Sequence, residues 1–200
     1  MSGLVVFGVI AVIIVLIAGW VIGIYNKLVR LRNLFQNAFA QIEVQLKRRY
    51  DLIPNLVNTA KGYMKHESET LIAVTEARNA AVKALNAMSA SPGDENASKM
   101  LAQAESKLAG AMSQFSLQVE AYPDLKASAN MQQVSEELIS TENKVGFARQ
   151  AFNDAVTEYN SYRQSFPPVF FASMFGHGKD ATLLEFEDSK AIQAAPKVEF

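Results

Sequence analysis

Polarity divides the chain into two unequal parts. Residues 4–24 (LVVFGVIAVIIVLIAGWVIGI) are apolar on every helical face, and no charged side chain occurs before Lys27. A helix rises about 1.5 Å per residue, so about 21 residues span roughly 30 Å, the thickness of a bilayer's hydrocarbon core. Beyond Lys27 the pattern becomes amphipathic. Leu28, Leu31, Phe35, Ala38, Ile42, Leu46, Ile53, Leu56, Ala60 and Tyr63 recur at three/four spacing, and Leu71, Val74, Val82 and Leu85 continue the stripe. Leu101, Ala104, Leu108, Met112, Phe115, Val119 and Tyr122 form a second stripe, and Val134, Leu138, Thr141, Val145, Ala148, Phe152, Ala155 and Tyr159 a third. Such spacing lines one face of an α-helix, and no sustained alternation competes with it.

The clearest loop is SASPGD at 89–94, where Pro and Gly stand together. Pro123 punctuates again, with Asp124 as an acidic first-turn residue. The pattern therefore predicts an all-α fold, an N-terminal transmembrane helix followed by a long antiparallel up-and-down four-helix bundle. Helices are expected at 25–65, 67–89, 94–121 and 124–164. One helix over 25–89, leaving three, is the alternative, because the break at 65–68 is weakly signalled. Pro54 lies inside the first bundle helix, where it removes a backbone hydrogen bond and is expected to kink it. Three parts follow: an anchor at 1–25, a bundle at 26–165, and an apolar hook with a loose tail at 166–200.

The outer two bundle helices are about 40 residues, or about 60 Å, and the middle two are shorter. A thick region and a thinner two-helix region are expected. With four helices, the last returns to the membrane and brings residues 166–175 (FPPVFFASMF) with it. Phe170, Phe171 and Phe175 would then meet lipid in a shallow, non-spanning contact. The competing expectation is that this run folds back as a cap on the bundle. Leu183, Leu184 and Phe186 are the docking points expected in the tail.

Trp20 and Tyr25 sit near one end of the apolar run, where amphipathic rings prefer the interface. Lys27, Arg30 and Arg32 follow, placed to touch anionic headgroups at about 1 kcal/mol each. Only residues 1–3 precede the span. The positive-inside rule therefore puts the bundle in the cytoplasm and the N-terminus outside, as a single-pass membrane protein. A cleaved signal peptide fits poorly: the leading residues are neutral, the apolar run is long, and the basic residues lie on its far side. Gly19 and Gly23 form a G-x-x-x-G pair, a candidate helix-dimer contact that also arises readily by accident.

Composition narrows the chemistry. The formal net charge is −1, so no global field draws the chain to nucleic acid. Cysteine is absent, which removes disulfides, thiolate metal sites and thiol nucleophiles. The two histidines, His66 and His177, have no ligand-like neighbours at i+3 or i+4. His66-Glu67 fits local helix capping better. No phosphate loop, nucleotide fingerprint or hydrolase motif occurs. No cofactor, metal or small-molecule substrate is expected, and no enzymatic activity. Lys47, Arg48 and Arg49 form the densest basic cluster, about 30 Å along a straight helix from the membrane and beyond a Debye length of about 8–10 Å. Arg49 or Lys47 is expected to pair across the bundle with Asp154, Glu142 or Asp51. Asn55, Asn143, Asn153 and Asn160 are expected to bond between helices and set register.

Residues 45–57 (QLKRRYDLIPNLV) carry a long specific pattern that includes Lys47, Arg48, Arg49, Asp51, Pro54 and Asn55. Further matches include KGY at 61–63, YPDLKA at 122–127 with Pro123, TEN at 141–143 and NDAV at 153–156 with Asn153. Over about residues 25–170 the chain resembles the LemA family. Phe39 stands where the family pattern leads one to expect Trp, and Met131 where Phe is expected; both are core-like exchanges. The resemblance implies a short extracytoplasmic N-terminus, one helix in the bacterial inner membrane and a cytoplasmic antiparallel bundle. It implies little chemistry, and by analogy with some members it points to membrane organisation. The combined expectation is a membrane-anchored scaffold that touches membrane lipid and whose exposed helix faces bind further copies of itself or a membrane protein partner. A membrane-bound adaptor for a protease or signalling partner is the alternative.

Overall fold

The computed structural model describes residues 2–64 and 66–186. Six helices follow one another: α1 (Ser2–Lys61), α2 (Ser68–Ala90), α3 (Glu95–Val119), α4 (Pro123–Lys126), α5 (Ala129–Gln164) and α6 (Pro168–Ala172), with no strand among the described residues. The fold is all-α, a long apolar N-terminal helix continued by helices that pack together.

α1 is a single helix of 60 residues, about 90 Å long. The apolar span and the first bundle helix are thus one rod, with no linker between them. Burial begins abruptly within it. Residues 3–20 are exposed, Val21 is half-buried, and Ile24, Leu28, Leu31, Phe35, Phe39, Ile42 and Leu46 are buried. The turning point coincides with the first charges, because a stripe can be buried only once the other faces carry polar groups for water.

α5 runs antiparallel along α1. Phe35 meets Phe152 and Tyr159 at ring separations of 6.3 and 5.2 Å, and Tyr25 meets Phe175 at 5.3 Å. Phe39 packs edge-on to Phe152 at 5.8 Å, and Met131 is buried, so both atypical positions serve the core. α2 folds back along α1 and α3 folds back along α2. The turn between α2 and α3 lies beside Phe35. The first turns of α1 after the span are therefore covered by α5 and α6, and the four long helices come together farther out.

The boundaries show where side chains take over from periodicity. The helix expected at 124–164 is divided: α4 ends at Lys126, and Ser128 caps α5 by accepting from the Met131 N–H at 3.4 Å. Asp94 caps α3 in the same way, accepting from Ala97 N–H at 3.0 Å. Glu67 occupies the N-cap of α2 without a side-chain capping bond, so the capping expected of His66-Glu67 is not made. α1 continues through Pro54 as helix.

The loose tail expected from Gly176 is packed as far as Phe186. Ala181, Leu184 and Phe186 are buried, whereas Leu183 is exposed. Gly93 has a φ of +86° and forms part of the seat, since a Cβ there would lie 3.0 Å from the Ala181 Cβ and 3.3 Å from the Phe35 ring. The remaining tail, 187–200, lies outside the described residues.

Candidate functional site

The QLKRRYDLIPNLV segment organises a polar clasp between three helices. Pro54 has no N–H, so the carbonyl of Tyr50, one turn earlier, lacks its helical donor. Arg78 of α2 supplies a replacement: its Nε donates to Tyr50 O at 3.0 Å, and its Nη2 lies 3.6 Å from the Asp51 carboxylate. The Tyr50 hydroxyl in turn donates to Glu105 of α3, and Arg49 Nη1 reaches the other carboxylate oxygen at 3.1 Å. Glu105 is buried, which is tolerable because it is paired and hydrogen-bonded. Burial first, and then the charge and hydrogen bond of Glu105, raise the Tyr50 hydroxyl far above the ordinary tyrosine range, so it remains a donor.

This arrangement corrects the expected pairing. Arg49 pairs with Glu105, not with Asp154, Glu142 or Asp51, because its side of α1 faces α3. Lys47 pairs with Glu43, one turn back on an exposed face, and Arg48 is exposed. Asp51 instead takes Arg78. Glu105 and Arg78 went unrecognised in the sequence, where each is one charge among many on a helix with mixed signs.

The asparagines also differ from expectation. Asn55 and Asn143 are exposed. Asn153 and Asn160 bond, but to the segment after α6 and not to another helix. Asn160 donates to Ala181 O at 2.8 Å and accepts from Ala181 N at 2.9 Å. Asn153 donates to Leu184 O at 3.1 Å and accepts from Leu184 N at 2.8 Å. Two helical turns separate the asparagines, about 10.5 Å, and three extended residues reach about 10 Å, so the two repeats match. Thr182 N donates to Gly93 O at 2.9 Å on the opposite side. An extended strap, held by its backbone, thus joins α5 to the turn between α2 and α3.

Toward the N-terminal half of α5, a cleft of about 670 Å³ lies between α3 and α5, with α1 also lining it. Leu56, Met112, Phe115, Val119, Met131 and Leu138 line it, with Arg49, Glu120 and Glu142 among its charged residues. Among the described residues, no three His, Asp or Glu side chains gather as a metal site.

At the other end, α5 delivers the apolar hook to the base of the bundle. α6 packs on both α1 and α5. Its contents are divided between two environments. Pro168 and Ala172 are buried, and Phe171 and Phe175 are half-buried and stacked at 6.2 Å, with Phe175 edge-on to Tyr25. Phe166, Phe170 and Met174 are 79, 69 and 75% exposed, and Val169 is 45% exposed. Of the three phenylalanines expected to face lipid, Phe170 points outward, whereas Phe171 and Phe175 form the cap. Phe166, Val169 and Met174 join the outward set; their hydrophobicity was legible, but their direction was not.

The hook is braced from behind. His177 N donates to Ala172 O at 2.8 Å, and His177 Nδ1 is hydrogen-bonded to the Tyr159 hydroxyl at 3.0 Å. Burial, and then the nearby Arg32 guanidinium, hold this imidazole below the usual histidine range. Lys27 places its ammonium 4.2 Å from the Tyr162 ring centre, a cation–π contact. Arg30 and Arg32 are exposed, as are Trp20 and Tyr25. A Cβ added at Gly19 or Gly23 would meet nothing within 4 Å, so that side of the span is open.

α1 is long and apolar enough to cross a membrane, and none of its most apolar window is buried within the chain. The class defined is therefore a helical bundle carried on a helix suited to membrane anchoring. The chain belongs to the LemA family, whose model matches residues 38–200. Protein LemA of Metamycoplasma hominis is 30% identical over 140 residues, covering 70% of this chain and 59% of that relative. The chain thus matches less than two thirds of that relative's length.

Proposed function

We propose that the protein is a membrane-anchored helical scaffold, with its N-terminus outside, its bundle in the cytoplasm, and further copies of itself as its partner. The observation that carries this reading is the unbroken α1. A rod that leaves the apolar span and enters the bundle core without a linker holds the bundle at the membrane surface in one orientation. Such an arrangement suits ordered lateral assembly, whereas a tethered enzyme gains more from a flexible stalk. The charge step at Lys27, Arg30 and Arg32 supports the cytoplasmic assignment. The open side at Gly19 and Gly23 leaves room for close approach of a second span. Assembly in the bilayer plane would organise or shape the membrane. Cross-linking in native membranes, followed by native mass spectrometry in detergent, tests this directly: ladders of the chain with itself are expected, and a strict monomer contradicts it.

One observation favours an adaptor as the second reading. The cleft between α3 and α5 is lined by Leu56, Met112, Phe115, Val119, Met131 and Leu138, apolar side chains that suit an apolar segment of a client protein. Proximity labelling separates the two readings, because an adaptor recovers one dominant foreign protein and a scaffold recovers itself.

A further inference from the structure

We propose that the outward face of the hook, formed by Phe166, Val169, Phe170 and Met174, inserts into the lipid interface as a second membrane contact beside α1. The proposal rests on the reading that α1 spans the bilayer. Its occupant is the headgroup and upper acyl region of the same leaflet that α1 leaves.

Three observations select lipid over water. The first is position. Ile24, the last residue of the apolar run, is the first fully buried residue of α1, and Tyr25 touches Phe175, so the hook sits where the span ends. Tyr25, itself exposed, carries the exposed surface of the span up to Phe175 at the hook. The second is the division of its side chains. Phe171, Ala172 and Phe175 already cap the bundle, yet Phe166 and Phe170 still pair edge-to-face outside it at 5.8 Å and 87°. A cap alone would not require a second, outward layer of aromatic rings, and an apolar patch of this kind on a soluble surface marks an interaction site. The third is charge. Lys27, Arg30 and Arg32 fall within two turns of Tyr25 on different sides of α1, which suits anionic headgroups around the exit point.

The hook is also held ready for this contact. Pro168 opens α6, where its ring fits the first helical turn. The bonds from His177 to Ala172 and Tyr159, and the pairing of Arg163 with Asp180, fix the base behind it. Insertion therefore requires little ordering of the segment. Two contacts, one spanning and one shallow, would resist tilting of the bundle where a single helix would not.

The chain has no cysteine, so single-cysteine spin labels report without background. Full-length Phe170→Cys and Met174→Cys are reconstituted in bilayers that contain anionic lipid, and their collision rates with oxygen and with a water-soluble nickel chelate are measured. Val12→Cys in the span and Phe147→Cys on the exposed face of α5 serve as lipid and water references. Hook labels with an oxygen-to-nickel ratio several-fold above that at 147 are expected. Water-like hook labels with a lipid-like label at 12 would overturn the proposal and leave the anchor standing. Water-like labels at all positions would overturn both. Because positions 170 and 174 are exposed, folding of these variants is expected to be unchanged, which far-UV circular dichroism checks.

Discussion

The two halves of α1 share one backbone and use hydrophobicity in opposite ways. From Gly3 to Trp20 every residue is apolar and exposed; after Ile24 about one face in three is apolar, and that face is buried. The first half needs an apolar solvent supplied from outside, and the second half brings its own in α2, α3 and α5. Exposure of a large apolar side chain therefore means different things along one helix. The hook is divided: Phe166, Val169, Phe170 and Met174 are apolar and exposed like the first half, and Pro168 and Ala172 are buried like the second.

Truncation should separate the halves most sharply. Phe152→Ala removes a ring packed against Phe35 and Phe39, and is expected to destabilise the bundle by about 3–5 kcal/mol. Ile10→Ala should leave the same unfolding transition unmoved. Chemical unfolding in mild detergent, followed by near-UV circular dichroism, measures both; a large loss from Ile10→Ala would mean that the span also packs on the bundle.

The clasp sharpens the comparison within the bundle. Glu105→Ala strands Arg49 and the Tyr50 hydroxyl, and is expected to cost about 2–3 kcal/mol, below the roughly 3–5 of a fully buried pair because Arg49 keeps some access to water. The same unfolding assay on the variant, and on Arg49→Met with Glu105→Leu, checks this. The double variant should recover the part of the loss that comes from the stranded Arg49 charge, while the Tyr50 hydroxyl stays without its acceptor; equal losses would show that the charge contributes nothing.

Asn153→Ala should have a smaller effect. It deletes both bonds to Leu184, and about 1–2 kcal/mol is expected from losing them in a part-buried setting. Limited proteolysis should then cut the chain between Gly176 and Phe186 before it cuts α5. Cleavage at the wild-type rate would show that the buried side chains alone retain the strap.

The smallest effect is expected from pH. Folding lowers the His177 pKa below its ordinary value of 6.5, so the unfolded chain binds more protons in that range. The neutral ring's contribution is complete above about pH 6.5 and is lost as pH falls below it. Melting temperatures measured on either side of this value should decline on acidification, with a shallower slope for His177→Gln. An identical slope would place the pH dependence elsewhere.

The contrast between regions also explains what the sequence could disclose. The long apolar helix was legible because about 21 apolar residues in a row match the thickness of a bilayer core. Most stripe residues proved buried, since a 3.6-residue repeat reports which face lies inward whatever partner covers it; Tyr63, in the turn just beyond α1, is exposed. The return of the hook to the span followed from helix parity. What stayed hidden depends on partners distant in sequence. Glu105 looks like any helical carboxylate until α3 is laid beside Arg49. The strap has no periodicity, because its backbone is held by Asn153 and Asn160 and any short segment with suitable side chains would serve. Ser128 did carry a local signal, an N-cap before Ala129, but Pro123 and Asp124 offered a competing start five residues earlier.

The central claim is that span and bundle form one unbroken helix, so that the bundle begins where the membrane ends. Hydrogen–deuterium exchange of the full-length protein in lipid nanodiscs, read on overlapping peptides across residues 15–40, tests it most directly. Continuous slow exchange from the apolar run through Leu28 and Phe35 is the predicted result. A fast-exchanging gap between Gly19 and Arg32 would contradict it, because the rod would then be two helices joined by a hinge.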